Sequence, residues 1–289
     1  MKNRLPAWFR QELPQDKVRA QLDFLSESGL NTVCREAKCP NLNRCFNESQ
    51  LTFMILGDTC TRNCRFCAVG KSSGGALDID LDEPQRIKEA AVKLGLRFVV
   101  ITSVTRDDLA DGGAQVFAKS IRLLREYNPE VGVEVLIPDF RGTPASIKTV
   151  ADAKPNVIAH NLETVSRLYD QVRPKADYKV SLSVLSKIKE LNPYQISKSS
   201  IMLGLGERED EVIEAMIDLR KNSCDILTLG QYLAPSKDHY PVKEFISLEK
   251  FEKYRRIAIG FGFKTVASGP LVRSSYQAQA VYKDSLCMI

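Results

Sequence analysis

The sequence has 289 residues, of which 44% are hydrophobic and 27% are charged. This composition supplies enough apolar material for one large domain or two small ones and excludes a disordered or fibrous chain. The formal net charge is only +5, and the basic residues form no concentrated stripe of the kind that a dedicated nucleic-acid-binding protein carries. We expect a folded, soluble protein without a nucleic-acid partner.

The cysteines are the most informative residues, because six of the eight fall within 34 residues. Disulfide frameworks occur mostly in short secreted chains, whereas the opening MKNRLPAWFRQELPQDK has no apolar run of signal-peptide length. No segment approaches the ~18 consecutive apolar residues of a membrane span. We therefore expect reduced thiols, no membrane association and a bacterial-type cytoplasmic location.

Residues 1–50 form a predicted N-terminal extension. A helical stretch around Asp16 to Leu30 precedes the loop CREAKCPNLNRCFNESQ, which is rich in cysteine and asparagine and has little hydrophobic periodicity. A loop of this composition needs an outside constraint to become ordered.

From residue 51 onward, short apolar runs alternate with amphipathic ones, which predicts repeated strand-helix units. The expected strands are 51–57, 97–103, 131–137, 156–160, 200–205 and 225–231, and the clearest helical runs are 84–95 and 210–222. Polar clusters follow several strands and no G-x-G-x-x-G pattern follows the first, so we favour an α/β fold with a partial (β/α)6 TIM-type barrel over 51–262. A doubly wound sheet remains the alternative. Residues 263–289 form a predicted C-terminal segment.

Cys60, Cys64 and Cys67 form a C-x3-C-x2-C loop directly after the first predicted strand of the barrel. A structural zinc site needs four ligands, and the two histidines, at 160 and 239, are distant in sequence. Three thiolates on a four-iron cluster leave one iron open to a small molecule. The spacing and the barrel pattern resemble the radical S-adenosylmethionine (SAM) superfamily, and a zinc or electron-transfer site is the alternative.

Cys34, Cys39 and Cys45 form a second, rarer triplet, C-x4-C-x5-C. With CREAKCPNLNRC, GDTCTRNCRFCAV, HNLETV, LGLGE, LTLGQYLAPS and the late RSSY, the sequence resembles the lipoyl synthase family from residue 34 to residue 276. A biotin-synthase-like enzyme has the first loop without the second triplet and without RSSY. That sulfur-inserting class and a non-enzymatic iron-sulfur or zinc protein are the alternative functions.

The resemblance implies two 4Fe-4S clusters. Cys60, Cys64 and Cys67 would hold the cluster that binds and cleaves SAM. The other triplet, at residues 34, 39 and 45, would hold an auxiliary, sacrificial cluster with Ser275 as its fourth ligand. The implied reaction inserts two sulfur atoms at C6 and C8 of a protein-bound octanoyl-lysine. Without the resemblance, Ser274 and Ser275 would be interpreted as a surface turn.

The resemblance also implies transient protein partners. These are octanoylated lipoyl-carrier domains (2-oxoacid dehydrogenase E2 and glycine-cleavage H protein), a ferredoxin- or flavodoxin-type electron donor and an iron-sulfur cluster carrier.

Four residues after predicted strands are candidates for cofactor binding. Asn161 and Glu163 are placed to hydrogen-bond ribose hydroxyls or the methionine amine, although such residues also cap helices. Gly204 and Glu207, in LGLGE, would let the backbone approach SAM closely, although an ordinary strand-to-helix turn explains them equally well.

Five further residues have structural interpretations. Asp107 and Asp108 lie near the cofactor by resemblance, or cap the helix expected near Ala114. His160 is expected to be a satisfied core or rim residue. Cys224 is expected to be a small buried hydrophobe, and Cys287 a tail thiol.

Overall fold

A computed structural model describes residues 6–9, 15–74 and 77–287. Parts of the predicted N-terminal extension, at 1–5 and 10–14, and the end of the predicted C-terminal segment, at 288–289, lie outside the described residues. The proposed division at 50/51 and 262/263 stays a prediction.

Ten strands are present in the described chain. In chain order they are β1 (Asn31–Thr32), β2 (Thr52–Ile55), β3 (Thr59–Cys60), β4 (Gly70–Lys71), β5 (Phe98–Ser103), β6 (Gly132–Leu136), β7 (Val157–Ala159), β8 (Ile196–Leu203), β9 (Ile226–Gln231) and β10 (Thr265–Gly269). Eight form one sheet in the order β1-β2-β5-β6-β7-β8-β9-β10, and β3 pairs with β4. Every pair in the large sheet is parallel except β1 with β2.

Helices cover the crossovers between the parallel strands and also occur before β2 and after β10. They are α1 (Asp16–Glu27), α2 (Val33–Glu36), α3 (Leu42–Asn47), α4 (Glu83–Lys93), α5 (Ala114–Tyr127), α6 (Pro144–Asp152), α7 (Tyr169–Val172), α8 (Tyr178–Leu191), α9 (Glu209–Lys221), α10 (Leu248–Gly260) and α11 (Ala278–Leu286). Short 3-10 turns occur at Ala7–Phe9, Phe140–Gly142 and Ser166–Leu168. None of the described helices is long and apolar enough to cross a membrane.

This architecture confirms the predicted fold class, an open α/β barrel with parallel strands. The described sheet ends at β1 on one side and β10 on the other, so the barrel is open. Each of the six expected strands is present, and the two expected helical runs form α4 and α9, which bury Ile87, Ala91, Val212, Met216 and Leu219.

Three features of the sheet differ from the sequence prediction. Strand β1 was not predicted and adds an antiparallel edge next to β2. Strand β8 begins at Ile196, four residues earlier than expected, because its polar residues are buried and paired. Ser197 donates to the Ser223 carbonyl oxygen at 3.0 Å, and Lys198 forms a 2.8 Å ion pair with Glu134 on β6. Strand β10, Thr-Val-Ala-Ser-Gly, was not predicted and extends the sheet beyond β9, because its short, small-residue sequence has no distinct strand periodicity.

The two cysteines outside the triplets lie where the sequence predicts. Cys224 is fully buried, and burial raises the pKa of its thiol to about 12. Its sulfur donates to the Ile226 carbonyl oxygen at 3.3 Å. Cys287 is exposed near the chain end.

The C-terminal segment reaches the barrel mouth because β9 carries a glycine at position 230. A Cβ atom there would lie 2.0 Å from the carbonyl oxygen of Val272. From the N-terminal extension, the Asn41 side-chain amide donates to the Leu271 carbonyl oxygen at 2.5 Å. The segment after β10 therefore contacts both the barrel and the loop that carries Cys34, Cys39 and Cys45.

Replacing Gly230 tests this contact. We expect Gly230→Ala to lower the free energy of unfolding by about 1–3 kcal/mol, because the added methyl group overlaps a backbone atom that has little room to move. Denaturant unfolding measures the effect. Gly260→Ala is the control, since nothing lies within 4 Å of a Cβ atom at the end of α10. Equal stability of the two variants would contradict the close approach.

Candidate active site

The carboxyl ends of the parallel strands surround a central cavity of about 650 Å³. Its walls come from the loops after β2, β5, β6, β7 and β9, together with parts of the N-terminal extension and the C-terminal segment. In barrels of this kind, the carboxyl-end loops carry the active site. The size also falls within the range of small-molecule sites.

All three cysteines of the C-x3-C-x2-C loop line the central cavity. The sulfur of Cys60 accepts hydrogen bonds from the backbone amides of Arg62, at 3.4 Å, and Thr105, at 3.3 Å. Burial raises the pKa of the Cys64 thiol and raises that of Cys67 to about 12, and neighbouring thiols of the loop act in the same direction. Backbone amides that point at cysteine sulfur are one of the means by which proteins tune iron-sulfur clusters.

The chain enters this loop through a turn that α4 holds in place. Leu56 has a φ of +69°, in the left-handed region, which a branched side chain seldom adopts. Its amide donates to the buried carboxylate of Glu83 at 2.7 Å. The first residue of α4 therefore fixes the direction in which the cysteine loop leaves β2.

A buried arginine fixes the middle of the cysteine loop. Arg62, 7% exposed, donates to both carboxylate oxygens of Asp107 at 2.8 and 2.9 Å and to Asp139 at 2.7 Å. Burial tends to raise the pKa of Asp139, but the hydrogen bonds and charge of Arg62 outweigh burial, so that pKa lies below its ordinary value. Arg62 thus ties the loop to the ends of β5 and β6.

This network excludes one of the two interpretations of the aspartates. Asp107 pairs with Arg62, and Asp108 pairs with Arg106 at 2.7 Å. Asp111 is the residue beside the start of α5, where its carboxylate accepts from the amides of Gly113 and Gln115. The helix-capping role that the sequence offered to Asp107 and Asp108 was therefore wrong, because both carboxylates are committed to arginines.

Asn161 and Glu163 both line the central cavity, and Asn161 donates to Glu163 at 3.0 Å. Glu163 has a φ of +67°, and burial raises the pKa of its carboxyl group. Arg173 donates to the carbonyl oxygens of Asn161 and Leu162 at 3.0 and 3.1 Å. Neither the Asn161 nor the Glu163 side chain caps a helix. The positive φ of Glu163 is a form of backbone strain that is concentrated at functional sites.

His160 lines the same cavity and is 2% exposed. Its Nδ1 atom lies 2.9 Å from the Ile137 carbonyl oxygen, and burial followed by the charge of Arg173 lowers its pKa to about 4. His160 is therefore a neutral rim residue. It is not the satisfied residue that the sequence predicts, because its buried Nε2 atom has no hydrogen-bond partner among the described residues.

Gly204 and Glu207 do not belong to the described lining of the central cavity. The Glu207 carboxylate accepts from the amides of Gly204 and Leu205 at 2.6 and 2.8 Å, which closes the turn between β8 and α9. A Cβ atom at Gly204 would lie 2.2 Å from the Gln231 side-chain nitrogen. In this structure the two residues shape the turn beside Gln231, which does line the cavity.

The second triplet surrounds a neighbouring cavity of about 260 Å³, the auxiliary cavity. Cys34, Cys39, Cys45 and Ser275 all line it, although Ser275 is separated from Cys34 by most of the chain. Burial raises the pKa of Cys34 and of Cys45 to about 12, and Cys39 adds to both shifts. The structure thus brings together the four residues that the family resemblance assigns to one site.

The two cavities share a wall. Cys34, Cys39, Arg273 and Ser275 line both the central and the auxiliary cavity. Within the described ranges, the Ser275 hydroxyl makes no hydrogen bond. A free hydroxyl beside three thiols is a donor set suited to a four-iron cluster with one non-cysteine ligand.

The donor chemistry of both sites fits iron-sulfur clusters. Among the described residues, no three cysteine, histidine, aspartate or glutamate side chains are arranged to hold a single metal ion. The thiols instead surround cavities, and thiolates are the usual ligands of iron-sulfur clusters.

Sequence reasoning did not single out Arg62 or Arg173. Arg62 lies inside the cysteine loop, and its charge is the only local signal. Its partners, Asp107 and Asp139, lie on other loops. Arg173 follows α7, where Tyr169 also accepts from it. Its two carbonyl partners lie in the loop after β7, and no local pattern indicates them.

Comparison with known proteins defines the class. The family model described as the radical SAM superfamily matches residues 54–219, so the chain belongs to that superfamily. Solved structures of methylornithine synthase (13% identity, TM-score 0.54) and of a maturase of the FeFe-hydrogenase (14% identity, TM-score 0.55) share the fold. The match to methylornithine synthase covers 81% of this chain and 80% of the synthase. The match to the maturase covers 79% of this chain and 61% of the maturase.

Two curated relatives specify the family. The lipoyl synthase of Caldanaerobacter subterraneus subsp. tengcongensis is 55% identical over 95% of this chain and 96% of its own. The lipoyl synthase of Pyrobaculum arsenaticum is 51% identical over 98% of this chain and 96% of its own. Within the superfamily, the chain belongs to the lipoyl synthase family. It is an enzyme of the SAM-dependent, 4Fe-4S type, which sets aside the zinc and biotin-synthase-like alternatives.

Removing the Arg62 side chain tests the network that fixes the cysteine loop. We expect Arg62→Ala to lower the free energy of unfolding by about 3–5 kcal/mol, because it leaves the buried Asp139 carboxylate unpaired. Denaturant unfolding is the measurement. Arg255→Ala removes an exposed pair with Glu252 and should change stability by at most about 0.5 kcal/mol. A small effect at Arg62 would contradict the network.

Proposed function

We propose that this chain inserts two sulfur atoms, at C6 and C8, into an octanoyl-lysine held on a carrier protein. The observation that supports this most directly is that the two thiol-lined cavities share a wall. Cys34, Cys39 and Ser275 line both cavities. A site that breaks C–H bonds and a site that supplies sulfur must both reach the same alkyl chain. Adjoining cavities satisfy that requirement.

The residue assignments follow the donor sets. Cys60, Cys64 and Cys67 would hold the cluster that binds SAM. Cys34, Cys39, Cys45 and Ser275 would hold the auxiliary cluster. When bound, the first cluster supplies the electron that cleaves SAM to a radical able to take hydrogen from an unactivated carbon, and the second supplies sulfur.

The protein's own residues orient the reactants and exclude water. Arg62 and Glu83 hold the cysteine loop against the barrel end. Asn161 and Glu163 offer an amide and a carboxylate for the ribose hydroxyls or the methionine amine. Gly204 and Glu207 would contribute by shaping the turn beside Gln231 rather than by lining the cavity. Phe66 lines the central cavity and packs against the core, where it would shield the first site from solvent.

Ser275 has the property expected of a releasable ligand. A serine oxygen binds this kind of iron more weakly than a thiolate, and no described residue holds the hydroxyl elsewhere by a hydrogen bond. The Arg44 guanidinium lies 5.6 Å from the ring centroid of Tyr276, which helps to keep the turn next to α3. The turn is thus placed so that Ser275 faces three thiols.

The partners in this proposal follow from the substrate. Octanoylated lipoyl-carrier domains of 2-oxoacid dehydrogenase E2 and glycine-cleavage H protein would dock transiently at the mouth of the central cavity. A ferredoxin- or flavodoxin-type donor would supply electrons, and an iron-sulfur cluster carrier would rebuild the auxiliary cluster. A reducing, cytoplasmic compartment suits the free thiols.

Metal analysis tests the two-cluster assignment. After anaerobic reconstitution we expect about eight iron and eight sulfide ions per chain, because two four-iron clusters are held. Replacing the triplet at 34, 39 and 45 with alanine should leave about four of each. Four iron ions in the unaltered protein, or stoichiometric zinc, would refute the assignment.

A pair of substitutions separates the two chemical roles. We expect Cys64→Ala to abolish deoxyadenosine release, because SAM is no longer cleaved. Ser275→Ala should retain deoxyadenosine release and lose lipoyl product at least about 100-fold, a loss equivalent to about 2.7 kcal/mol in the barrier. Mass spectrometry of an octanoyl-lysine peptide is the measurement. Cys287→Ala, at the exposed tail thiol, is the control, and normal product from Ser275→Ala would refute the ligand assignment.

A further inference from the structure

The C-terminal turn contacts both sites through consecutive residues. The amide of Tyr276 donates to the Arg273 carbonyl oxygen at 3.0 Å, so Ser274 and Ser275 are the central residues of one hydrogen-bonded turn. Ser275 lines the auxiliary cavity beside Cys34, Cys39 and Cys45. Ser274 points to a different partner.

The Ser274 hydroxyl donates to the side-chain oxygen of Asn161 at 3.0 Å. Asn161 uses its side-chain nitrogen to donate to Glu163, also at 3.0 Å. Both groups of the Asn161 amide are therefore engaged, and the amide plane is fixed between Ser274 and Glu163. Asn161 is 7% exposed, so little solvent is available to replace the Ser274 contact.

We propose that Ser274 is a positioning residue that couples SAM binding at Asn161 and Glu163 to iron ligation by Ser275. This inference rests on the proposed function and extends it to the relation between the two sites. Ser274 and Ser275 share a peptide unit, so a displacement of one moves the other. Ligation by Ser275 holds the turn in the position in which Ser274 reaches Asn161.

Thermodynamic linkage gives the coupling a direction. While Ser275 holds the auxiliary iron, Asn161 is aligned and SAM binds well. When Ser275 is released, Ser274 loses its alignment and SAM binding weakens. By thermodynamic linkage, bound SAM must favour Ser275 ligation by the same factor. The enzyme would therefore bind SAM best when its sulfur source is intact.

The experiment measures the dissociation constant of SAM for reconstituted protein by calorimetry under anaerobic conditions. We expect Ser274→Ala to raise it about fivefold, which is the effect of losing one partly buried hydrogen bond. Ser274→Thr retains the hydroxyl and should bind within about twofold of the parent protein. Ser268→Ala is the matched control. Ser268, on β10, donates to the carbonyl oxygen of Phe251, on α10, at 2.8 Å and makes no hydrogen bond to Asn161 among the described residues.

A double-mutant cycle tests the coupling itself. We expect Ser275→Ala to weaken SAM binding in the parent protein and to have no further effect once Ser274 is alanine. If the fold-changes of the two substitutions multiply, or if Ser274→Ala binds SAM as the parent does, the inference is refuted. If Ser274→Ala fails to fold, Asn161→Ala takes its place in the cycle, with the same prediction. Sulfur insertion is assayed separately, so failure of the proposed function appears in the product and not in the dissociation constants.

Discussion

The close approach of the C-terminal segment to strand β9 is the constraint on which both sites depend. Gly230 leaves room for the Val272 carbonyl oxygen, and Asn41 binds the neighbouring Leu271 carbonyl from the N-terminal extension. The N-terminal extension and the C-terminal segment are thereby held against the barrel mouth. The auxiliary cavity exists only because they meet there.

Buried ionic contacts give the central cavity its shape. Arg62 joins the cysteine loop to the ends of β5 and β6, and Arg173 holds the backbone of Asn161 and Leu162. Carboxylates satisfy the Arg62 guanidinium, which offsets the cost of burying its charge. Arg173 bonds carbonyl oxygens and the Tyr169 phenol through Nη1, and its buried Nε atom has no hydrogen-bond partner among the described residues. Rigid loops of this kind suit a reaction in which a reactive carbon radical must meet one partner only.

Predictability from sequence differs between the two sites for physical reasons. The first triplet lies on one short loop, so local spacing alone indicated a metal centre with an open position. The second triplet and Ser275 are joined only by the family resemblance, because no local pattern connects residue 45 to residue 275. The aspartates show the opposite outcome: local pattern suggested helix caps, and long-range pairing with Arg62 and Arg106 took both carboxylates. Polar β8 residues likewise escaped a pattern based on hydrophobicity, since their partners lie on strand β6 and in the turn after α9.

The sequence by itself determined the class of fold, the number of thiol sets and the family, because these follow from periodicity, cysteine spacing and motifs that are local in the chain. Only the tertiary structure decided that the two cavities share a wall, that Arg62 and Arg173 fix their loops, and that Ser274 contacts Asn161. These contacts join residues more than 100 positions apart or on different loops. Their formation depends on how the strands and the two terminal segments pack, which short-range sequence patterns do not encode.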